Sequence, residues 1–131
     1  MKAMRAQTRA QETLYPTANI LTPISQYFLE LPQRDNQGLL EKLNVDRPGE
    51  KIGILNAENE RDTRGDFSLY IPEYLDNSQP APLVIALHGG TGHGRDFMWS
   101  WLREARTRGF MLLSPTSQQD TWSLMGEELD L

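Results

Sequence analysis

One strand, turn, helix and strand unit constrains the fold of this chain more than any other feature. Residues 83–87 form a continuous apolar run, and four of the six residues at 89–94 are glycine. A helical pattern follows from residue 95 or 96 to residue 108, and residues 110–113 are apolar again. A continuous apolar run is typical of a parallel strand buried on both faces. The unit therefore predicts a right-handed β-α-β crossover and an α/β fold.

The helix of this unit is predicted to be amphipathic and to end at Gly109, where a helix C-cap belongs. Phe97, Trp101, Leu102 and Ala105 fall on one side of it, at spacings of about three and four residues. The two tryptophans of the helix, at positions 99 and 101, lie on different faces. We therefore expect only one of them in the core.

The apolar and polar residues alternate more regularly after residue 50 than before it. Residues 1–19 are polar and predict a frayed arm or a weak helix. Residues 51–55 and 66–71 alternate apolar with polar residues and predict two half-exposed strands, joined by a polar hairpin connection. We therefore divide the chain into an N-terminal arm or extension of unclear structure at 1–49 and an α/β domain at 50–131.

Charge and composition exclude several functional classes. Thirteen Lys and Arg against 18 Asp and Glu give a net charge of −5, which argues against a nucleic-acid partner. The absence of cysteine excludes disulfides, thiolate zinc sites and a Cys nucleophile. The longest apolar run is far shorter than the roughly 20 residues that span a membrane. A cytoplasmic protein without a membrane span is the expectation.

The glycine-rich segment at 89–94 suggests a site for negative charge. Glycine lets another group approach the backbone closely, and the start of a helix offers unpaired N–H groups. Two chemistries use such a loop: phosphate binding and stabilisation of an oxyanion. The phosphate alternative fits poorly, because Arg95 and Asp96 stand where a P-loop has Lys and Ser or Thr. The dinucleotide pattern G-x-G-x-x-G is also absent.

Four segments in order resemble an α/β-hydrolase. Residues 82–92 (PLVIALHGGTG) resemble its third strand and H-G-G-type oxyanion loop, and residues 69–75 (LYIPEYL) resemble the strand before it. Residues 110–115 resemble the fourth strand, and residues 120–122 the aromatic loop after it. The closest resemblance is to the phospholipase/carboxylesterase group, which includes dienelactone-hydrolase-like and polyhydroxybutyrate-depolymerase-like esterases. It implies a partial α/β-hydrolase fold with the N-terminal strands, the oxyanion loop and the first β-α-β unit.

The resemblance assigns roles to the loop. The backbone N–H of Gly90, or alternatively that of Thr91, would be the oxyanion donor. His88 and Gly89 would support the loop, with His88 structural rather than a catalytic base. Asp120 and Trp122 would lie near the acyl pocket and complete the candidate site residues.

The remainder of the catalytic pattern is absent from this sequence. No G-x-S-x-G occurs, and neither the acid nor the base His that would follow it is present. Ser114 is followed by Pro115, and Ser100 falls inside the predicted helix, so neither is predicted to be the nucleophile. We expect no cofactor and no metal, because His88 and His93 lack a clear third ligand and His93 is expected in solvent.

Two functional hypotheses remain. The first is the N-terminal portion of a serine carboxylesterase or phospholipase-type hydrolase, cut before its nucleophile, whose small-molecule ester substrate would bind only in the complete enzyme. This chain alone would then be inactive. The alternative is a noncatalytic binding or interaction module with a partial α/β-hydrolase fold. Exposed strand edges would be its route to a second chain.

Overall fold

The computed structural model describes residues 2–45, 47, 50–76 and 78–122. The α-helices are α1 (Lys2–Leu14), α2 (Thr22–Tyr27), α3 (Gln37–Leu43), α4 (Gly94–Phe97) and α5 (Leu102–Arg108). Short 3-10 turns occupy Tyr15–Thr17, Leu31–Gln33 and Met98–Ser100. The strands are β1 (Gly53–Leu55), β2 (Phe67–Ile71), β3 (Leu83–Ile85) and β4 (Met111–Pro115). Within the described residues, no helix is long and apolar enough to cross a bilayer.

The four strands form one mixed sheet in the order β1-β2-β4-β3. β1 and β2 pair antiparallel with Ile54 opposite Tyr70, which confirms the predicted hairpin. β2 pairs antiparallel with β4, and β3 pairs parallel with β4 so that Val84 lies opposite Leu112. The predicted parallel β-α-β unit is therefore present, and the chain has an α/β architecture.

One face of the sheet carries the main core. Tyr70 and Leu112 are fully buried there and pack in one cluster with Trp99 and Leu102 from the crossover segment. The same cluster contains Phe28 and other residues from before position 50. Residues on both sides of the predicted boundary at 49/50 thus share a single core, and the N-terminal extension packs as part of the domain.

The other face of the sheet is apolar and is not buried. Strand pairing places eight apolar side chains there in register, and all are partly or largely exposed: Leu55, Phe67, Leu69, Ile71, Leu83, Ile85, Met111 and Leu113. Leu83 and Ile85 of β3 are 50% and 52% exposed. The prediction that residues 83–87 are buried on both faces is therefore wrong. β3 is an edge strand, and its apolar composition reflects a face that the described residues leave uncovered.

The predicted helix at residues 95–108 is interrupted. It consists of α4, the 3-10 turn Met98–Ser100 and α5. The break falls at Met98–Ser100, where Met98 and Trp99 are both buried. The buried tryptophan is Trp99, whereas Trp101, which the pattern placed on the apolar side, is 41% exposed. The predicted C-cap is confirmed, because Gly109 has a left-handed φ of 81°.

A buried polar cluster fixes the N-terminal segment to the sheet. The carboxylate of Glu73, 1% exposed, accepts hydrogen bonds from the hydroxyls of Tyr15 and Tyr70. Burial raises the pKa of both tyrosines well above its ordinary value, so both remain donors. Arg106, fully buried in α5, donates to the carbonyl oxygen of Ser25 at 2.7 Å. The Tyr15–Glu73 and Arg106–Ser25 contacts each join segments distant in sequence, which favours a single arrangement of those segments.

Helix α1 is a docked helix rather than a frayed arm. Five residues, Thr8, Glu12, Arg61, Arg95 and Asp96, form what we term the docking cluster. Arg61 donates to Glu12 at 2.5 Å and to Asp96 at 2.8 Å, Thr8 donates to Asp96 at 2.8 Å, and Arg95 donates to Glu12. Burial alone would raise the pKa of Glu12, but hydrogen bonds from Arg95 and Arg61 outweigh it and lower that pKa.

Replacement of Glu12 by Gln is expected to destabilise the fold by about 1–2 kcal/mol, because two arginines lose a partly buried anionic acceptor. Glu60→Gln is the matched control, since Glu60 also contacts Arg95 but its side chain is 65% exposed. The control is expected to change stability by less than about 0.5 kcal/mol. Urea unfolding of the three proteins at neutral pH measures both effects.

The same carboxylate predicts a pH dependence. Because the pKa of Glu12 is lower in the folded state, its contribution is complete above the ordinary Glu value of about 4.3. That contribution is lost as pH falls from there through the lowered pKa. The stability difference between the native protein and Glu12→Gln should therefore shrink in this acidic window. A difference that is constant across the window would contradict the docking role of Glu12.

Candidate functional site

The glycine-rich loop leaves the carboxyl end of β3 and enters α4. Because β3 and β4 are parallel, residues 116 and 117, which follow β4, lie at the same edge of the sheet as the loop. In α/β sheets this carboxyl edge is the usual location of binding sites. The loop is thus placed where the sequence analysis expects a functional site.

His88 connects the ends of the two parallel strands. Its side chain is buried, and Nε2 accepts a hydrogen bond from the backbone N–H of Ser117 at 3.0 Å. The ring proton therefore resides on Nδ1, which donates to the carbonyl oxygen of Gly89 at 2.6 Å. Burial lowers the pKa of His88, and the nearby Arg64 guanidinium lowers it further, against the raising effect of the Gly89 hydrogen bond. A neutral, fixed imidazole braces the loop.

Close packing accounts for two of the loop glycines. A Cβ on Gly94 would lie 2.4 Å from the carbonyl oxygen of Ser114, so only glycine lets α4 approach β4 this closely. A Cβ on Gly92 would lie 3.1 Å from Nδ1 of His88. These two positions explain half of the glycine content at 89–94 by close packing, without any ligand.

The backbone N–H groups of the loop differ in whether they have acceptors. The N–H of Thr91 donates to the carbonyl oxygen of Asp120 at 2.6 Å, and that of Gly92 donates to Gly89 at 3.1 Å. Within the described residues, the N–H groups of Gly89 and Gly90 donate to no protein acceptor. The N–H of Thr91, the alternative oxyanion donor, is therefore already hydrogen-bonded in this structure. Gly90, which is exposed, retains an open donor.

The start of α4 is not available to an anion. The N–H of Gly94 donates to the hydroxyl of Thr116 at 3.0 Å, and that of Arg95 donates to Nδ1 of His93 at 3.2 Å. The expectation that His93 lies in solvent is wrong, because it is buried as the N-cap of this four-residue helix. Its Nε2 donates to the carbonyl oxygen of Thr63 at 2.9 Å. The helix N-terminus therefore plays no part in the candidate site.

The histidine contacts also bear on metal binding. All four ring nitrogens of His88 and His93 take part in hydrogen bonds with protein groups. Across the described part of the chain, no three potential ligands of the His, Cys, Asp and Glu types converge. The geometry of these residues offers no open nitrogen for a metal ion.

A cavity of about 210 Å³ lies between the glycine loop and the first half of α1. Gly90 is part of its lining, together with the apolar side chains of Met4 and Phe97 and the guanidinium-bearing Arg5. Nothing in the sequence indicated Met4 or Arg5, because α1 carries only a weak helical pattern and no motif. The site therefore combines the predicted loop with a wall from the N-terminal extension.

Asp120 and Trp122 lie beside the loop and not along this cavity. The backbone of Asp120 accepts from Thr91, and the indole Nε1 of Trp122 donates to the carbonyl oxygen of His88 at 2.9 Å. The rings of Trp122 and His88 lie 5.0 Å apart. Both residues therefore brace the loop from outside the cavity, and their place near an acyl pocket stays a prediction.

Arg64 is a structural residue of the site that sequence reasoning missed. It donates to the carbonyl oxygen of Gly92 at 3.0 Å and to the hydroxyl of Ser117 at 2.9 Å. It also donates to the carbonyl oxygen of Gln119. The hairpin connection that contains Arg64 thus joins the glycine loop to the segment after β4. Its only sequence signal was one arginine in a polar stretch.

The packing assignment of the glycines yields a matched pair of substitutions. Gly94→Ala is expected to destabilise the protein by about 2–3 kcal/mol, because its Cβ collides with backbone atoms of β4. Gly89→Ala is the control, since a Cβ there has no neighbour within 4 Å. Its effect should lie within about 0.5 kcal/mol. Chemical unfolding measures both, and equal effects would contradict the assignment.

Comparisons with protein-family models, with curated proteins and with solved structures find no match for this chain. The chemical capacity of the site therefore has to be derived from its geometry. Among the described residues, that geometry comprises two open backbone donors, the N–H groups of Gly89 and Gly90, beside a small and mainly apolar cavity.

Proposed function

We propose that this chain supplies the oxyanion loop and part of the acyl pocket of an α/β-hydrolase-fold carboxylic ester hydrolase. The observation that carries the proposal is the open N–H of Gly90 on the lining of an apolar cavity, in the loop that follows β3. An H-G-G-type loop after the third strand provides one oxyanion donor in that fold. The oxyanion donor that the sequence resemblance implies is thereby assigned to the backbone N–H of Gly90.

The chemistry follows from where charge develops. A serine hydroxyl attacks the ester carbonyl carbon while a histidine takes its proton, and the carbonyl oxygen becomes an oxyanion. A donor fixed about 2.7–3.1 Å from that oxygen stabilises the transition state. The N–H of Gly90 suits this role because the neutral His88, Arg64 and Trp122 already hold the surrounding loop. The loop need not reorganise when the charge appears.

The nucleophile is assigned to polypeptide other than the described residues. Ser114 is fully buried and donates to the carbonyl oxygen of Gly94 at 2.8 Å, so it cannot attack a substrate. The bare apolar face of the sheet supports this assignment, since a contiguous exposed apolar surface marks a place where further polypeptide packs. Further polypeptide that covers this face and pairs with the edge strand β3 would bring the serine to the carboxyl edge.

The proposal is tested in the protein extended by the sequence encoded beyond Leu131, which is expected to contain G-x-S-x-G, then an Asp and a His. In that enzyme Gly90→Pro removes the backbone donor and should lower kcat by about 10²–10³-fold with a smaller change in KM. Gly90→Ala is the matched control, because it keeps the N–H and its Cβ meets only a Thr121 methyl at 3.5 Å.

Residues 1–131 alone should show no serine-dependent hydrolysis of 4-nitrophenyl butyrate, because nucleophile and base are absent. Fast turnover by this chain would contradict the proposal. So would an extension without the nucleophile motif, or equal rates for Gly90→Pro and Gly90→Ala.

A second candidate function is favoured by one observation, the eight exposed apolar side chains on one sheet face. A noncatalytic interaction module would use this face and the edge of β3 to hold a second chain. Size-exclusion chromatography, together with thermal unfolding, distinguishes the two candidate functions. A monomer that melts cooperatively supports the module, whereas aggregation through the bare face supports the hydrolase portion.

A further inference from the structure

We propose that the cavity between α1 and the glycine loop binds the acyl part of a short-chain carboxylate, with Met4 as the residue that sets its length. Met4 and Phe97 supply apolar walls, and the Gly90 N–H is the donor for the carboxylate. This inference deepens the proposed function, since the acyl group is the part of an ester that lies beside the oxyanion donor.

The docking cluster holds the wall that carries Met4 at a fixed distance from the loop. Thr8, one turn after Met4, donates to Asp96, and Asp96 lies in α4 directly after the loop. Arg61 joins the same carboxylate of Asp96 to Glu12, farther along α1. Asp96 lines the cavity, and Glu12 lies on α1, the helix that also carries Met4. Met4 is therefore a positioned side chain and not part of a free arm.

The polar groups around the cavity indicate an anionic head on the ligand. The guanidinium of Arg5 lies 3.9 Å from Asp96 with half of its side chain exposed, which leaves donors free at the edge of the cavity. The carboxylate of Asp96 also belongs to the lining, but its charge is balanced by Arg61 at 2.8 Å. The Gly90 N–H and the Arg5 guanidinium are thus the two groups that favour a carboxylate. The remaining contacts come mainly from carbon atoms.

The volume of the cavity limits the size of the apolar tail. A dry cavity of about 150 Å³ accommodates benzene. The 210 Å³ between α1 and the loop therefore accommodates an acyl chain of roughly four to eight carbon atoms. The side chain of Met4 is flexible and 53% exposed, so its removal should lengthen the cavity without damage to the core. Length preference is thus assigned to the N-terminal extension.

The test is an NMR titration of the monomer fraction of residues 1–131, isolated by size-exclusion chromatography, with sodium butanoate, hexanoate and decanoate at constant ionic strength. We expect hexanoate to shift the Gly90 amide and the Met4 methyl resonances saturably, and decanoate to bind at least 3-fold more weakly. Met4→Ala should reverse this order, whereas Met4→Trp, which fills the cavity, should weaken hexanoate at least 10-fold. Met111→Ala, on the bare sheet face, is the matched control and should change neither affinity.

Shifts centred on Met111, or affinities that ignore both Met4 variants, would overturn the inference, because they indicate adsorption to the bare face. The binding test needs no nucleophile, so its result is separable from that of the proposed function. If hexanoate binds as expected but the extended protein has no esterase activity, the carboxylate site is supported and the hydrolase proposal is contradicted. If the extended protein is an esterase whose chain-length preference does not depend on Met4, the hydrolase proposal is supported and the role of Met4 is contradicted.

Discussion

The hydrogen bond between the Ser117 N–H and Nε2 of His88 is the contact on which the rest of the site depends. It joins the carboxyl ends of β3 and β4 and forces the ring proton onto Nδ1, where it holds Gly89. The imidazole then serves as the surface against which Gly92 packs and Trp122 lies. A protonated ring could not accept from Ser117, so the lowered pKa of His88 and the geometry of the loop support each other.

The second constraint is the docking of α1. A 13-residue helix is marginal in water when isolated, even when it is built from good helix formers. Here the docking cluster and the core contacts of Tyr15 provide the tertiary stabilisation. The N-terminal extension thereby becomes one side of the cavity, while the opposite face of the sheet remains apolar and open. The same chain thus combines a well-braced loop with an uncovered surface.

Much of the fold was readable from local patterns. The hairpin of β1 and β2, the parallel pair of β3 and β4 and the Gly109 C-cap follow from alternation, apolar runs and a single glycine. The exposure of β3 was not readable, because an apolar run is the same in an edge strand as in a central one. The interruption at Met98–Ser100 was not readable either, because the apolar spacing of residues 97–105 is compatible with one continuous helix.

The sequence predicted where the candidate site lies, but not which of its atoms are open to a ligand. The H-G-G sequence located the loop, yet the acceptor that occupies Thr91 is a backbone oxygen 29 residues later, at Asp120. Likewise, the burial of His93 requires Thr63 and Arg95 as partners. Met4, Arg5 and Arg64 reach the loop only through tertiary contacts that no spacing encodes. Local sequence thus identified the motif, and long-range hydrogen bonds determined which backbone N–H groups of the loop remain open.

Amide hydrogen exchange across the glycine loop tests that central claim most directly. Exchange is slowed where an N–H is hydrogen-bonded within the structure, so each donor of the loop is measured separately. We predict that the Gly90 amide exchanges at a rate close to that of an unstructured chain, while those of Thr91 and Gly94 are strongly protected. Protection of Gly90 equal to that of Thr91 would mean that its donor is already occupied, and would contradict the oxyanion role.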